Sequence, residues 1–113
     1  MAHPELTFDS IEPAELKARL DRQEKLRLID VREQNEWDYC RIDGGVFLPL
    51  SELHVWGPEL KPDGGPYVIY CHHGVRSRHV CQVLAQNGVR DCINLIGGID
   101  LWSQTVDPDV PVY

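Results

Sequence analysis

A chain of 113 residues, 42% of them hydrophobic, can bury one core, so a single domain over residues 1–113 is expected and disorder is not. The formal net charge of −7 excludes a polyanion as main partner, so no nucleic-acid binding is expected. No apolar stretch reaches membrane-spanning length and the first residues show no basic-then-apolar leader, which predicts a cytoplasmic protein without membrane association. In that setting Cys40, Cys71, Cys81 and Cys92 are expected as free thiols rather than two disulfides.

In chain order, Leu6-Thr-Phe8 reads as a short edge strand. Ile11-Glu-Pro-Ala-Glu-Leu16 opens a helix, with Pro13 at its first position, Glu15 in its first turn and Ile11 stapled to Leu16. Leu16 and Leu20 repeat at helical spacing, and Lys17, Arg19, Asp21 and Arg22 form a solvated face. Leu26–Val31 is a strong strand, and Glu33–Tyr39 a short helix. After a Gly44-Gly45 turn, Val46–Leu50 is a second short strand, and Ser51 is placed to cap a brief helix around Glu52-Leu-His54. Tyr67-Val-Ile-Tyr70 is apolar throughout, as a central parallel strand covered on both faces would be. A helical run over Arg78–Gln86 carries the stripe Val80, Val83 and Leu84 and stops at Asn87-Gly88. Asp91–Leu95 is a last strand, Gly97-Gly98 turns the chain, and Ile99–Ser103 is a short final helix before an extended, proline-marked tail. Strands alternating with helices predict a three-layer α/β/α fold on a small, mainly parallel sheet, in which ligands bind beyond the carboxyl ends of the strands.

Cys71 follows such an end directly and opens the loop Cys71-His-His-Gly-Val-Arg-Ser77 onto a helix. Helix N-termini offer unpaired N–H groups and partial positive charge, and both favour a thiolate. Gly74 lets the loop bend so that N–H groups turn inward. Arg76 can fork onto an anionic sulfonate or brace the loop through backbone carbonyls. Ser77 is expected to cap the helix rather than to serve the sulfur. His72 and His73 either add positive charge that shapes donor choice or point to solvent. A zinc site from Cys71, His72, His73 and Cys81 is disfavoured because neighbours on one tight loop rarely converge on one ion. Asp30 and Arg32 are expected to brace the strand end, for example with Arg32 pairing Glu36. Cys81 and Cys92 fall in core positions, Cys40 is a candidate exposed second thiol, and Trp37, Trp56 and Trp102 are packing residues.

Four stretches in order resemble the rhodanese superfamily: Leu28-Ile-Asp-Val-Arg-Glu33, Arg41-Ile-Asp-Gly-Gly45 with Leu48-Pro-Leu50, Tyr70-Cys-His-His-Gly-Val-Arg-Ser77, and Leu95-Ile-Gly-Gly-Ile-Asp-Leu-Trp102. Cys40-Arg41 stand where that family commonly has Gly-His, and Gly45 where it has Ala. The chain also resembles rhodanese modules fused to adenylyltransferases of sulfur-carrier pathways. The resemblance implies a rhodanese-like α/β/α fold and sulfane-sulfur transfer through a Cys71 persulfide, with no metal and no organic cofactor. The donor would be thiosulfate or a protein or low-molecular-weight persulfide, and a small anionic donor would be bound by His72, His73, Gly74, Val75, Arg76 and Ser77. The acceptor would be cyanide, a thiol or a protein, and the chain is expected to be a monomer. Phosphatase and arsenate-reductase relatives carry one more residue between Cys and Arg than the four, His72 to Val75, found here. The shorter loop suits one sulfur atom better than a tetrahedral oxyanion. A persulfide carrier or interaction module is the non-enzymatic alternative.

Overall fold

The computed structural model describes residues 8–113. Five strands form one parallel sheet in the order β1-β5-β4-β2-β3. They are β1 (Asp9–Ile11), β2 (Arg27–Asp30), β3 (Val46–Phe47), β4 (Tyr67–Tyr70) and β5 (Cys92–Leu95). The helices are α1 (Pro13–Asp21), α2 (Gln34–Tyr39), α3 (Leu53–Trp56), α4 (Val75–Gln86) and α5 (Gly98–Thr105).

The apolar run of β4 lies fully buried at the centre of the sheet, between β2 and β5. Successive strand side chains point to opposite faces, and β4 divides its residues accordingly. Val68 and Tyr70 join Leu16, Leu95, Ile99 and Trp102 in one apolar layer, under α1 and α5. Tyr67, Ile69 and Cys71 join Val80, Cys81, Leu84 and Trp56 in the other, under α3 and α4. The expected three layers are thus present, and Cys71, just past the carboxyl end of the central β4, belongs to the second core. Among the described residues, no helix is long and apolar enough to cross a membrane.

Several boundaries differ from the sequence expectation. The edge strand covers Asp9–Ile11 with Phe8 outside it, and Leu6 and Thr7 of the expected strand lie outside the described residues. Ser51 caps no helix: it lies within a 3-10 turn, Leu50–Glu52, and its hydroxyl donates to Glu33 Oε1 at 2.7 Å. The strand expected to reach Leu50 is regular only to Phe47, although the Leu48 N–H still donates to the Asp30 carbonyl and the Leu50 N–H to the Val31 carbonyl, both at 2.9 Å, before the chain turns into the 3-10 segment. The helix expected from Arg78 begins three residues earlier, at Val75, so Val75, Arg76 and Ser77 of the key loop are helical first turn. Pro13 opens α1 as expected, and Ile11 and Leu16 share a core layer.

Candidate active site

The carboxyl ends of β2 and β4 are neighbours, with Asp30 paired to Tyr70 in register, so Arg32 and the Cys71 loop emerge side by side. Beyond Tyr70 the backbone turns sharply at Gly74, whose φ of 97° lies in the left-handed region. A Cβ there would come within 3.2 Å of the Gly97 nitrogen and 3.3 Å of the Leu95 carbonyl oxygen. Glycine is therefore required at this corner both by dihedral and by space.

Cys71 is 1% exposed, yet its sulfur is not in purely apolar surroundings. Sγ accepts the Gly74 N–H at 3.1 Å and the Ser77 N–H at 3.4 Å, and the Ser77 hydroxyl lies at 3.4 Å. Gly74 is the N-cap of α4 and supplies no capping side chain. The sulfur occupies the place of a capping oxygen, receiving the third N–H of the helix. Ser77 is consequently not the cap that the sequence suggested. Its hydroxyl donates to Asn94 Oδ1 at 2.5 Å, and Asn94 Nδ2 donates to the Gly74 carbonyl at 3.2 Å. Asn94, buried at the end of β5, thus ties down both residues that donate to the sulfur.

Arg76 makes a contact that neither expectation named. Its guanidinium forks onto Glu36, Nη1 to Oε1 at 2.7 Å and Nη2 to Oε2 at 2.9 Å. Glu36 Oε1 also accepts the Glu33 N–H at 3.1 Å, and Oε2 accepts the Tyr113 hydroxyl at 2.7 Å. The Arg76 hydrogen bonds hold the Glu36 carboxyl down at about 2, and the same contact raises Arg76. Arg32 therefore does not pair with Glu36. It is wholly buried and grips Asp30 through Nε at 3.0 Å and Nη2 at 2.7 Å, while Nη1 donates to the Tyr113 hydroxyl at 2.8 Å and Nη2 to the Cys40 carbonyl at 2.5 Å. Burial alone would lower Arg32, but the Asp30 and Tyr113 partners outweigh it and the net shift is upward. A continuous polar chain, Asp30–Arg32–Tyr113–Glu36–Arg76, joins the end of β2 to the loop.

The two loop histidines separate in role. His72 is stacked flat on Tyr113, with ring centroids 3.8 Å apart and 3° between planes. Burial, then the neighbouring His73, lowers its pKa. His73 is 60% exposed at its side chain, 3.8 Å from His72 ring to ring, and its Nε2 lies 3.8 Å from Asp100 Oδ2. Val75 is 76% exposed at the loop rim. Cys81 is buried in the core of α4, and Cys92 is held up at about 11 by burial. Cys40 is buried, not exposed: its Sγ lies 3.7 Å from the Pro111 carbonyl, under the tail. All four cysteines are free.

A groove of about 500 Å³ runs beside the loop, lined by Phe8, Ser10, His73, Gly74, Val75, Arg78, Asn94, Ile96 and Gly97. A larger apolar groove of about 630 Å³ between α3 and α4 touches none of residues 71–77, so size alone does not mark the chemistry.

Residues 12–105 match the model of the Rhodanese-like domain family. The chain belongs to that family. It is 38% identical over 105 residues to the probable adenylyltransferase/sulfurtransferase MoeZ of Mycobacterium tuberculosis, covering 92% of this chain and 27% of that protein. It is 31% identical over 100 residues to the putative sulfur carrier protein YrkF of Bacillus subtilis, covering 88% of this chain and 51% of the relative. The chain therefore spans about a quarter to a half of the length of these curated relatives. Among solved structures, the rhodanese-like domain protein of Staphylococcus aureus superposes with a TM-score of 0.79 at 28% identity, covering 93% of this chain and 98% of that one.

Within this rhodanese-like frame, sequence reasoning missed Asn94, Asp100 and Tyr113. Tyr113 carries no local signal, because it meets the loop only through the folded path of the tail. Asp100 sits in the closing stretch Leu95–Trp102, whose likeness to the family pointed there without assigning it a partner.

Proposed function

We propose that the protein is a sulfurtransferase that carries sulfane sulfur on Cys71. The observation that supports this best is the donor set aimed at Sγ by Gly74 and Ser77, which stabilises negative charge on a sulfur otherwise enclosed by the fold. The Cys71 thiolate attacks the outer sulfur of thiosulfate or a small persulfide. The donor S–S bond breaks, and sulfite or a thiolate leaves. The resulting Cys71 persulfide is an anion served by the same N–H donors. Cyanide, a small thiol or a protein thiol then attacks the outer sulfur, and Cys71 leaves as thiolate.

Two further points favour sulfur over phosphate or arsenate. The loop is short, and the Arg76 fork that would grip a tetrahedral oxyanion is taken by Glu36. Relatives bearing the names sulfurtransferase and sulfur carrier point the same way. The second of these names also supports a carrier reading, in which Cys71 accepts sulfur and delivers it to one protein partner.

The test is thiocyanate formation from thiosulfate and cyanide by wild type and Cys71→Ser, with intact-protein mass after incubation with thiosulfate or an organic persulfide. Wild type should gain the mass of one sulfur atom and turn over repeatedly, and the variant should do neither. A single load without turnover assigns the carrier role. No mass gain with any donor sinks both.

A further inference from the structure

The mechanism above leaves the acceptor's proton unassigned. A thiol of ordinary pKa, about 8.5, is mostly protonated at neutral pH and attacks only as thiolate. Something must take that proton as the acceptor engages the persulfide.

Three observations single out one group. His73 stands at the exposed rim of the loop and lines the groove beside Gly74. Its Nε2 lies 3.8 Å from Asp100 Oδ2, longer than a hydrogen bond but close enough for the carboxylate to steady the protonated imidazole. Asp100 is itself fixed: its N–H donates to the His72 carbonyl at 3.0 Å, and Gln104 Nε2 donates to Oδ2 at 2.9 Å. Behind His73, the His72 ring is clamped on Tyr113, so His73 rests against a fixed wall. Apo distances between catalytic partners are often long and tighten on binding.

We infer that His73, oriented by Asp100, is the general base that accepts the proton of a thiol acceptor. The inference rests on the sulfurtransferase reading. In the step, the acceptor S–H bond breaks and its proton passes to the His73 nitrogen turned away from Asp100. The acceptor sulfur bonds to the outer sulfur of the persulfide, the inner S–S bond breaks, and Cys71 leaves as thiolate into its donor set. The product is a persulfide of the acceptor, and the imidazolium beside Asp100 returns its proton to solvent. His73 is the catalytic residue here, and Asp100 a positioning residue. An acceptor that arrives already ionised needs neither.

The experiment uses wild type, His73→Gln and Asp100→Asn, each loaded with thiosulfate and checked by mass for one added sulfur. Transfer is then timed at neutral pH to glutathione, which is protonated, and to thionitrobenzoate, which is already a thiolate. The readout is the ratio of the two rates, which cancels general damage to the loop. The ratio should fall about 100-fold in His73→Gln, and about tenfold in Asp100→Asn. The His72 ring packs on His73, Asp100 on α5 lies 3.8 Å from it and Arg78 on α4 lines the same groove, so the pH profile is read on all three proteins. In His73→Gln, glutathione transfer should climb with thiol ionisation through the alkaline range, where wild type has levelled. A ratio unchanged within about threefold overturns the assignment while leaving sulfur loading intact. Because His72, His73 and Asp100 present donor atoms within 4.8 Å of one another, the assay is repeated with EDTA. A rate abolished by the chelator overturns the base and makes the trio a metal site. A wild type that takes up no sulfur removes the sulfurtransferase reading, and the base with it.

Discussion

Glu36 receives four hydrogen bonds, from Arg76 twice, from the Glu33 N–H and from Tyr113, and its carboxyl sits at about 2 instead of 4.5. A carboxyl lowered by folding stabilises the native state above its unfolded pKa, and that contribution disappears as pH falls through the folded value. Wild type should therefore lose stability between about pH 4.5 and pH 2 from this one group. With the solvent-reached side of Arg76 discounting the pair, the loss is on the order of 2 kcal/mol. Urea midpoints across that range should slope for wild type and flatten for Glu36→Gln, and equal slopes would show that the pair adds no acid sensitivity. At this scale the sequence was legible where partners are close in the chain. Asp30 and Arg32 are two residues apart at a strand end, and their bracing role could be read directly. Arg76 and Glu36 are 40 residues apart, and Tyr113 reaches Arg32 across 81; no local pattern encodes either pairing. The sequence leaves the Arg76 fork open between an anionic sulfonate and backbone carbonyls; in the fold it holds the Glu36 carboxylate.

The elements that hold the loop are α4 and α5, and they do so differently. The first turn of α4 offers its N–H groups to the sulfur. The start of α5 is stapled to the loop backbone, Ile99 N–H to the Cys71 carbonyl at 2.9 Å and Asp100 N–H to the His72 carbonyl at 3.0 Å. That approach is possible only because residue 98 has no side chain. Its φ is 59°, and a Cβ would collide with the carbonyl oxygens of both Cys71 and His72. Backbone cannot swing aside as a flexible side chain would, so Gly98→Ala should cost about 3 kcal/mol and displace the loop. Thermal melting and sulfur loading by mass should fall together in this variant; a variant that melts and loads as wild type does would show that the staple is dispensable. From sequence, Gly97-Gly98 announced a turn. That the turn presses on the Cys71 loop depends on β4 and β5 lying side by side, which strand patterning predicts only as membership of one sheet. Helix starts were harder to read for a related reason: the cysteine sulfur caps α4 at Val75, and a capping sulfur four residues before the first helical residue has no familiar sequence mark.

For the molecule as a whole, stability is centred on β4, which is flanked by strands on both sides and covered by an apolar layer on each face. Native-state hydrogen exchange should be slowest at Val68 and Ile69 and faster at β1 and the two-residue β3 on the edges. Faster exchange in β4 than at the edges would contradict this ordering. The architecture was the most legible level, because an all-apolar four-residue run between polar segments leaves a parallel, doubly covered strand as its natural reading.

The near-complete enclosure of Cys71 bears on time as well as on charge. Thiolates that solvent reaches are the ones peroxide converts to sulfenic and then irreversible acids. At 1% exposure, Cys71 offers small oxidants little surface. Under the proposed function, the same enclosure would shelter the reactive sulfur in the interval between donor and recipient.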